Sequence, residues 1–120
     1  MKYVRLHNTE LKLSNICLGC GSFDDNSETR SFEILDAFVE AGGNFLDTAN
    51  VYGKWNADKK NHSEEVIGRY LKSRNAYDKI IVATKGGHFD LDTPDISRVN
   101  QPEVEKDIEE GFKARSKNLL

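Results

Sequence analysis

The sequence predicts an α/β fold: a parallel sheet covered by helices. Three observations carry that prediction. Apolar residues recur at helical spacings of three and four in some segments and form short β-branched runs in others. The two kinds of segment alternate along the chain, which implies right-handed crossovers between parallel strands. Polar residues that could do chemistry cluster just past the ends of the strand-like runs. An open doubly wound sheet and part of a (β/α)8 barrel both satisfy this pattern, and periodicity alone does not separate them.

Taken in order, residues 3–14 read as a short hairpin. Tyr3 to His7 and Glu10 to Leu13 alternate polar and apolar around the turn formers Asn8 and Thr9. Ile16-Cys17-Leu18-Gly19 is a buried-strand candidate. The loop from Gly21 offers Asp25, Asn26 and Ser27 as caps for the first helix. That helix runs from Glu28 to Ala41, with Phe32, Leu35, Phe38 and Val39 on one face, and Gly42-Gly43 ends it. Asn44 to Asp47 is a second strand. A loop then runs to His62, and a second helix starts near Ser63. Glu64 and Glu65 meet its positive end, and Val66, Ile67, Tyr70 and Leu71 form its stripe. Lys79 to Thr84 contains Ile80-Ile81-Val82-Ala83, a β-branched run suited to a strand covered on both faces. A third helix starts around Pro102, which suits a first turn, with Val104, Ile108 and Phe112 as its stripe.

Composition bounds what this chain can be. Its 120 residues allow one small core but fall far short of the roughly 250 that close a (β/α)8 barrel. With 31% charged residues, 38% hydrophobic residues and a net charge of −3, a globular protein without a nucleic-acid or membrane partner is expected. No apolar run follows Met1, so no signal peptide is expected, and two cysteines suggest a reducing, cytoplasmic setting.

Three side chains can meet at the mouth of the predicted sheet. Asp47 closes the second strand, Tyr52 lies five positions on, and Lys85 closes the third strand. Reducing a carbonyl takes hydride at carbon and a proton at the developing alkoxide. A free phenol, with a pKa of about 10, is a poor acid at neutral pH. A neighbouring ammonium improves it, and a carboxylate holds that ammonium in place. Tyr52 would then donate the proton, Lys85 tune it, and Asp47 hold Lys85.

Gly43-Asn44-Phe45-Leu46-Asp47-Thr48-Ala49-Asn50-Val51-Tyr52-Gly53 resembles the signature of the aldo-keto reductase family. Ser63-Glu64-Glu65-Val66-Ile67-Gly68 and Ile80 to Gly86, which contains Thr84-Lys85, are similar to later segments of that family, in order and correctly spaced. The resemblance covers nearly the whole chain. It implies a partial (β/α)8 barrel, roughly the first three βα units behind an N-terminal hairpin, with residues 1–120 a truncated single domain. It also implies an NADP(H)-dependent oxidoreductase acting on a small carbonyl compound, with Asp47, Tyr52 and Lys85 as three members of a catalytic tetrad. The fourth member, a histidine ending a fourth strand, has no counterpart: His7, His62 and His88 do not match it. Gly21, Ser22, Phe23 and Asp47 are carried over as cofactor neighbours, and Trp55 is weighed as a substrate-facing aromatic. A chain without the later strands is expected to be inactive alone and to self-associate.

Other readings are weaker. Cys17-Leu18-Gly19-Cys20 has redox spacing, but positions three apart in a strand point to opposite faces. Gly19-Cys20-Gly21-Ser22-Phe23-Asp24 lacks the third glycine of a dinucleotide fingerprint, which disfavours a small complete Rossmann-type domain. No cluster has zinc spacing, so no metal is expected. A non-catalytic binding or regulatory module of the same fold is the alternative function.

Overall fold

A computed structural model describes residues 1–54, 61–90 and 92–116. Strands β1 (Tyr3–Arg5) and β2 (Lys12–Ser14) form the antiparallel hairpin, in the register Tyr3↔Ser14. Asn8 turns it with φ at +59°, a conformation asparagine tolerates. The hairpin is bolted to the turn at residues 42–44. The Tyr3 hydroxyl donates to the Gly42 carbonyl at 2.7 Å, and the Asn44 side-chain amide donates to the Lys12 carbonyl at 2.8 Å.

Strands β3 (Leu18–Gly19), β4 (Phe45–Asp47) and β5 (Ile81–Ala83) form a parallel sheet in that order. Helices α1 (Glu28–Glu40), α2 (His62–Arg74) and α3 (Gln101–Ser116) alternate with the strands. The order is the one expected, but the sheet is open. Both edge strands are less buried than the sequence suggests: Ile16 and Cys17 are exposed rather than inside, and β5 is half-buried along its length. A run of β-branched residues reports the cover that a complete sheet would give, and among the described residues β5 has a hydrogen-bonded strand partner on one side alone. Among the described residues no helix is long and apolar enough to cross a membrane.

The core lies between the sheet and the first two helices. Leu46, at the centre of β4, meets Leu35 of α1 and Val66, Ile67, Tyr70 and Leu71 of α2, with Phe23 and Cys20 from the loop after β3. Successive strand residues face opposite ways. Burying Leu46 therefore points Phe45 and Asp47 to the other face. The Phe32 and Tyr70 rings pack edge to face at 5.3 Å. Val39, expected on the buried stripe of α1, is exposed, because the apolar face narrows to Leu35 with Phe32, Ile34 and Phe38 beside it. Ser27 occupies the N-cap position of α1 without a side-chain hydrogen bond to it, and the capping is done one turn earlier by Asp24, whose carboxylate accepts from the Ser27 amide at 2.8 Å while Ser27 Oγ accepts from the Asp24 amide. Gly42, at φ +86°, gives α1 its left-handed exit, and a side chain on Gly43 would run into the Phe38 ring.

Helix α3 departs most from its expected face. Ile108 and Phe112 are 56% and 61% exposed, and Asp107, Gly111 and Ala114 are buried in their place. Glu64 of α2 decides this. Its carboxylate is buried, accepts from the Thr84 hydroxyl at 2.6 Å, and sits where a Cβ on Gly111 would fall. The helix turns its glycine toward that carboxylate, and the apolar stripe rotates outward.

Two polar clamps hold α1 to α2. Arg74 and the Tyr70 hydroxyl both donate to Asp36, and Arg69 bridges Asp25 and Glu28. Burial, then the hydrogen bond to Asp36 and the Asp36 charge, push the Tyr70 phenol from 10.0 up to about 12. Between those values the unfolded chain releases the proton while the folded chain keeps it, so stability falls as pH rises through that window. Tyr70→Phe is expected to lose about 1 kcal/mol at neutral pH with the hydrogen bond to Asp36, and to be less sensitive to alkali than the parent protein. Urea melts at neutral pH and midway through the window check both parts; equal alkaline losses in the two proteins would contradict the assignment.

Candidate active site

The site is assembled by the β4–β5 register. Leu46 pairs with Val82 and Asp47 with Ala83, and the ladder continues as the Thr48 amide donates to the Ala83 carbonyl at 2.9 Å. Past the strand end, the Asn50 amide donates to the Lys85 carbonyl at 3.0 Å, so the two chains leave the sheet side by side. Lys85 then turns its ammonium back across β4. It donates to both carboxylate oxygens of Asp47 at 2.9 Å and to the Thr48 carbonyl at 2.8 Å.

Tyr52 closes the group. The Lys85 ammonium stands 4.6 Å from the centre of its ring and hydrogen-bonds to its side chain. Partial burial works against the Lys85 charge, but hydrogen bonds to Asp47 and Tyr52, with the charge of each, outweigh it and raise the lysine pKa. The side chains of Lys85 and Asp47 are 50% and 42% exposed, so the ion pair faces an opening rather than the core.

The loop carrying Tyr52 is fixed at both ends. The Thr48 hydroxyl donates to Ser63 Oγ, which donates to the Cys20 carbonyl, each at 2.8 Å. This buried chain joins the end of β4, the start of α2 and the end of β3. The Asn50 and Asn61 side chains bond at 2.8 Å, and the Asn61 amide donates to the Asn50 carbonyl at 2.9 Å. Between these anchors, a Cβ on Gly21 would lie 3.8 Å from the Tyr52 ring, which puts the ring against the loop after β3. Tyr52 and Lys85 line a pocket with Ala49, Val51, Gly86, Gly87 and His88.

The structure therefore brings Asp47, Tyr52 and Lys85 together and puts Gly21 beside them. Ser22 is exposed next to this group. Phe23 is different: its side chain is buried in the core, which leaves only its backbone for a ligand. Trp55 lies outside the described residues. One pocket residue carries no signal in the sequence pattern. His88 does not fit a place on a fourth strand, yet it lines the pocket because the Gly86-Gly87 turn brings it back over Lys85. Cys17 lies within electrostatic reach of both Asp47 and Lys85. Burial and then Asp47 raise its pKa, with Lys85 opposing. Burial, mainly, pushes the Cys20 thiol up to about 12. Cys20 is a buried packing cysteine, Cys17 is exposed, and a raised thiol pKa is the opposite of what a reactive redox cysteine needs. No group of ligating side chains among the described residues could hold a metal ion.

The model of the Aldo/keto reductase family matches residues 15–118. An aryl-alcohol dehydrogenase [NADP(+)] of Phanerodontia chrysosporium is 46% identical over 67 residues, covering 56% of this chain and 15% of that protein. Norsolorinic acid reductase B of Dothistroma septosporum is 36% identical over 94 residues, covering 71% and 22%. The solved structure of an aldo-keto reductase from Bacillus halodurans, in its holo form, superposes with a TM-score of 0.68 at 31% identity, covering 99% of this chain and 36% of that one. This fold is the (β/α)8 barrel, of which the present sheet is an open part. The matched segment spans well under half the length of each of these relatives.

Gly53 holds the turn after Tyr52 at φ +87°, and a Cβ there would lie 2.5 Å from that of the buried His62. Gly53→Ala is expected to destabilise the fold by at least about 1 kcal/mol, from the strained backbone alone. Chemical denaturation measures this, and an unchanged midpoint would show that the turn is not under that constraint.

Proposed function

The chain belongs to the aldo/keto reductase family, and on that premise we propose that it is the N-terminal portion of an NADP(H)-dependent oxidoreductase that reduces aldehydes or ketones to alcohols. In this reading residues 1–120 are the first three βα units of one barrel domain, and the strands that complete it come later in the full-length protein. The observation that carries the proposal is the Lys85 ammonium, held by Asp47 and Thr48 and laid against the Tyr52 ring at the open end of the sheet. A structural ion pair at a strand end has no need of a phenol facing the same pocket.

Each residue then has a task. Tyr52 gives its phenolic proton to the carbonyl oxygen as negative charge develops there. Lys85, cationic at neutral pH like any lysine not deeply buried, stabilises the phenolate left behind. Asp47 and the Thr48 carbonyl keep the ammonium from swinging into solvent. The chemistry of these groups fits the reactive end of a nicotinamide cofactor. Asp47 offers a carboxylate, Ser22 a hydroxyl, and Gly21 an open backbone edge beside the Tyr52 ring. When bound, the cofactor supplies the hydride that reduces the carbonyl carbon. Trp55, three residues after Tyr52 in the sequence, is proposed for the substrate side. The name of the Phanerodontia chrysosporium relative supports NADP as the cofactor. The free thiols Cys17 and Cys20 support a reducing, cytoplasmic setting.

In the full-length protein, Tyr52→Phe is expected to reduce carbonyl turnover about 10²–10⁴-fold, the usual worth of general acid catalysis, while cofactor affinity stays nearly unchanged. Steady-state assays with an aldehyde and fluorescence titration with NADPH separate the two; a variant with parental turnover would mean that another group supplies the proton.

The isolated 120-residue chain is expected to show no NADPH-dependent reduction and to self-associate. Among the described residues β3 and β5 each present an open edge, and Ile108 and Phe112 present apolar surface near Val82 of β5. Size-exclusion chromatography and an aldehyde assay check this, and a monomeric, active chain would overturn the view that later strands are required.

A further inference from the structure

The loop between β5 and α3 holds a buried charge cluster that the proposed chemistry does not use. Arg98 is 5% exposed, although residues 92–97, Val99 and Asn100 around it are exposed. Its guanidinium donates to the His88 carbonyl at 2.8 Å, to Glu103 at 2.9 and 3.0 Å, and to Asp107 Oδ1 at 2.6 Å. The other oxygen of Asp107 accepts from the Gly87 amide at 2.8 Å. Both glycines of the pocket wall serve this cluster. A Cβ on Gly86 would lie 2.6 Å from that of Asp107, so only glycine lets the helix approach. Gly87, at φ +80°, turns its amide toward the carboxylate. The cluster also reaches the opposite wall. Asp90 lies 3.6 Å from Arg98 and pairs at 3.2 Å with Lys54, two residues past Tyr52.

We propose that Arg98 is a positioning residue: through Asp107 and the His88 carbonyl it fixes Gly86-Gly87-His88 as one wall of the pocket over Tyr52 and Lys85, and through Asp90 and Lys54 it sets the distance to the other wall. This rests on the proposed reductase reading for its consequence, a defined width for the carbonyl substrate, and on geometry for the clamp itself. A planar guanidinium suits the task because it engages three partners at fixed angles, which a lysine ammonium on a flexible stem does not reproduce. Removing the charge altogether would take the guanidinium from the buried Asp107 carboxylate, so the informative variants keep a cation or act on the Lys54 link.

The test uses the full-length protein with Arg98→Lys and, separately, Lys54→Met, which breaks only the link between the walls. Amide hydrogen exchange should quicken at residues 86–90 in Arg98→Lys while amides of α2 keep their parental rates. In steady-state assays with an aromatic aldehyde and NADPH, both variants should raise KM about tenfold with kcat within about twofold, a smaller penalty than the roughly hundredfold that a misplacement of about 1 Å can cost. Exchange that quickens across the whole protein, or not at all, overturns the clamp. A fall in kcat at constant KM overturns it too, because loss of folded enzyme produces that pattern. If the parent protein reduces no aldehyde, the reductase reading fails instead, and the exchange measurement alone decides whether Arg98 holds the wall.

Discussion

The contact on which the site depends is the Lys85 ammonium lying across β4 onto the Asp47 carboxylate. It exists because two parallel strands end in step, with Asp47 opposite Ala83 and Lys85 two residues beyond. A slip of one residue would send Lys85 to the other face of the sheet, since side chains alternate. The register is in turn held by burial. Leu46 is fully enclosed between Leu35 and the α2 stripe, so β4 cannot shift without bringing Phe45 or Asp47 into the core. The hydrophobic core therefore sets the polar site indirectly: it fixes which face of β4 is dry and so which face carries the carboxylate.

A second layer of organisation is polar and buried. The Thr48–Ser63–Cys20 chain, the Thr84–Glu64 hydrogen bond and the Arg98–Asp107 pair all lie beneath the loops at the strand ends. Buried polar groups are costly unless each finds a partner, so such groups hold their surroundings to one arrangement. At α3 this constraint outweighs apolar patterning. Seating Glu64 against Gly111 of the helix, and Asp107 of the helix against the loop glycine Gly86, makes Asp107, Gly111 and Ala114 its inner face, and Ile108 and Phe112 are left outside.

That contrast explains what is legible in the sequence. Strand and helix order, the glycine exits of α1, the stripe of α2 and the meeting of Asp47 with Lys85 follow from local spacing and from alternation, which act within a few residues or through a strand pair. The face of α3 is not legible. Its packing is decided by single carboxylates, Glu64 and Asp107, whose partners lie on other elements. The cap at Asp24 is hidden for a smaller reason, since four consecutive residues could each cap and only the backbone path selects among them. Arg98 gives no signal, because one arginine in a polar loop looks solvated until Asp107 and Glu103 are brought over it. His88 has the wrong place along the chain for a fourth strand, but a positive-φ glycine before it returns it to the pocket.

The parts of the site thus differ in how far they reach. Asp47, Lys85 and Tyr52 are arranged by two adjacent strands and the loop that leaves one of them, so the trio is complete within an open sheet. The walls are less local. One hangs from α3 through Arg98, and α3 is the helix whose apolar face is least covered. In the proposed complete barrel, a strand added beside β5 would give Ile108 and Phe112 something to pack against. Securing α3 would also steady the Arg98 clamp and the wall that Gly86, Gly87 and His88 form. Proton transfer geometry would then be set early along the chain, and pocket shape would depend on elements that close the sheet later.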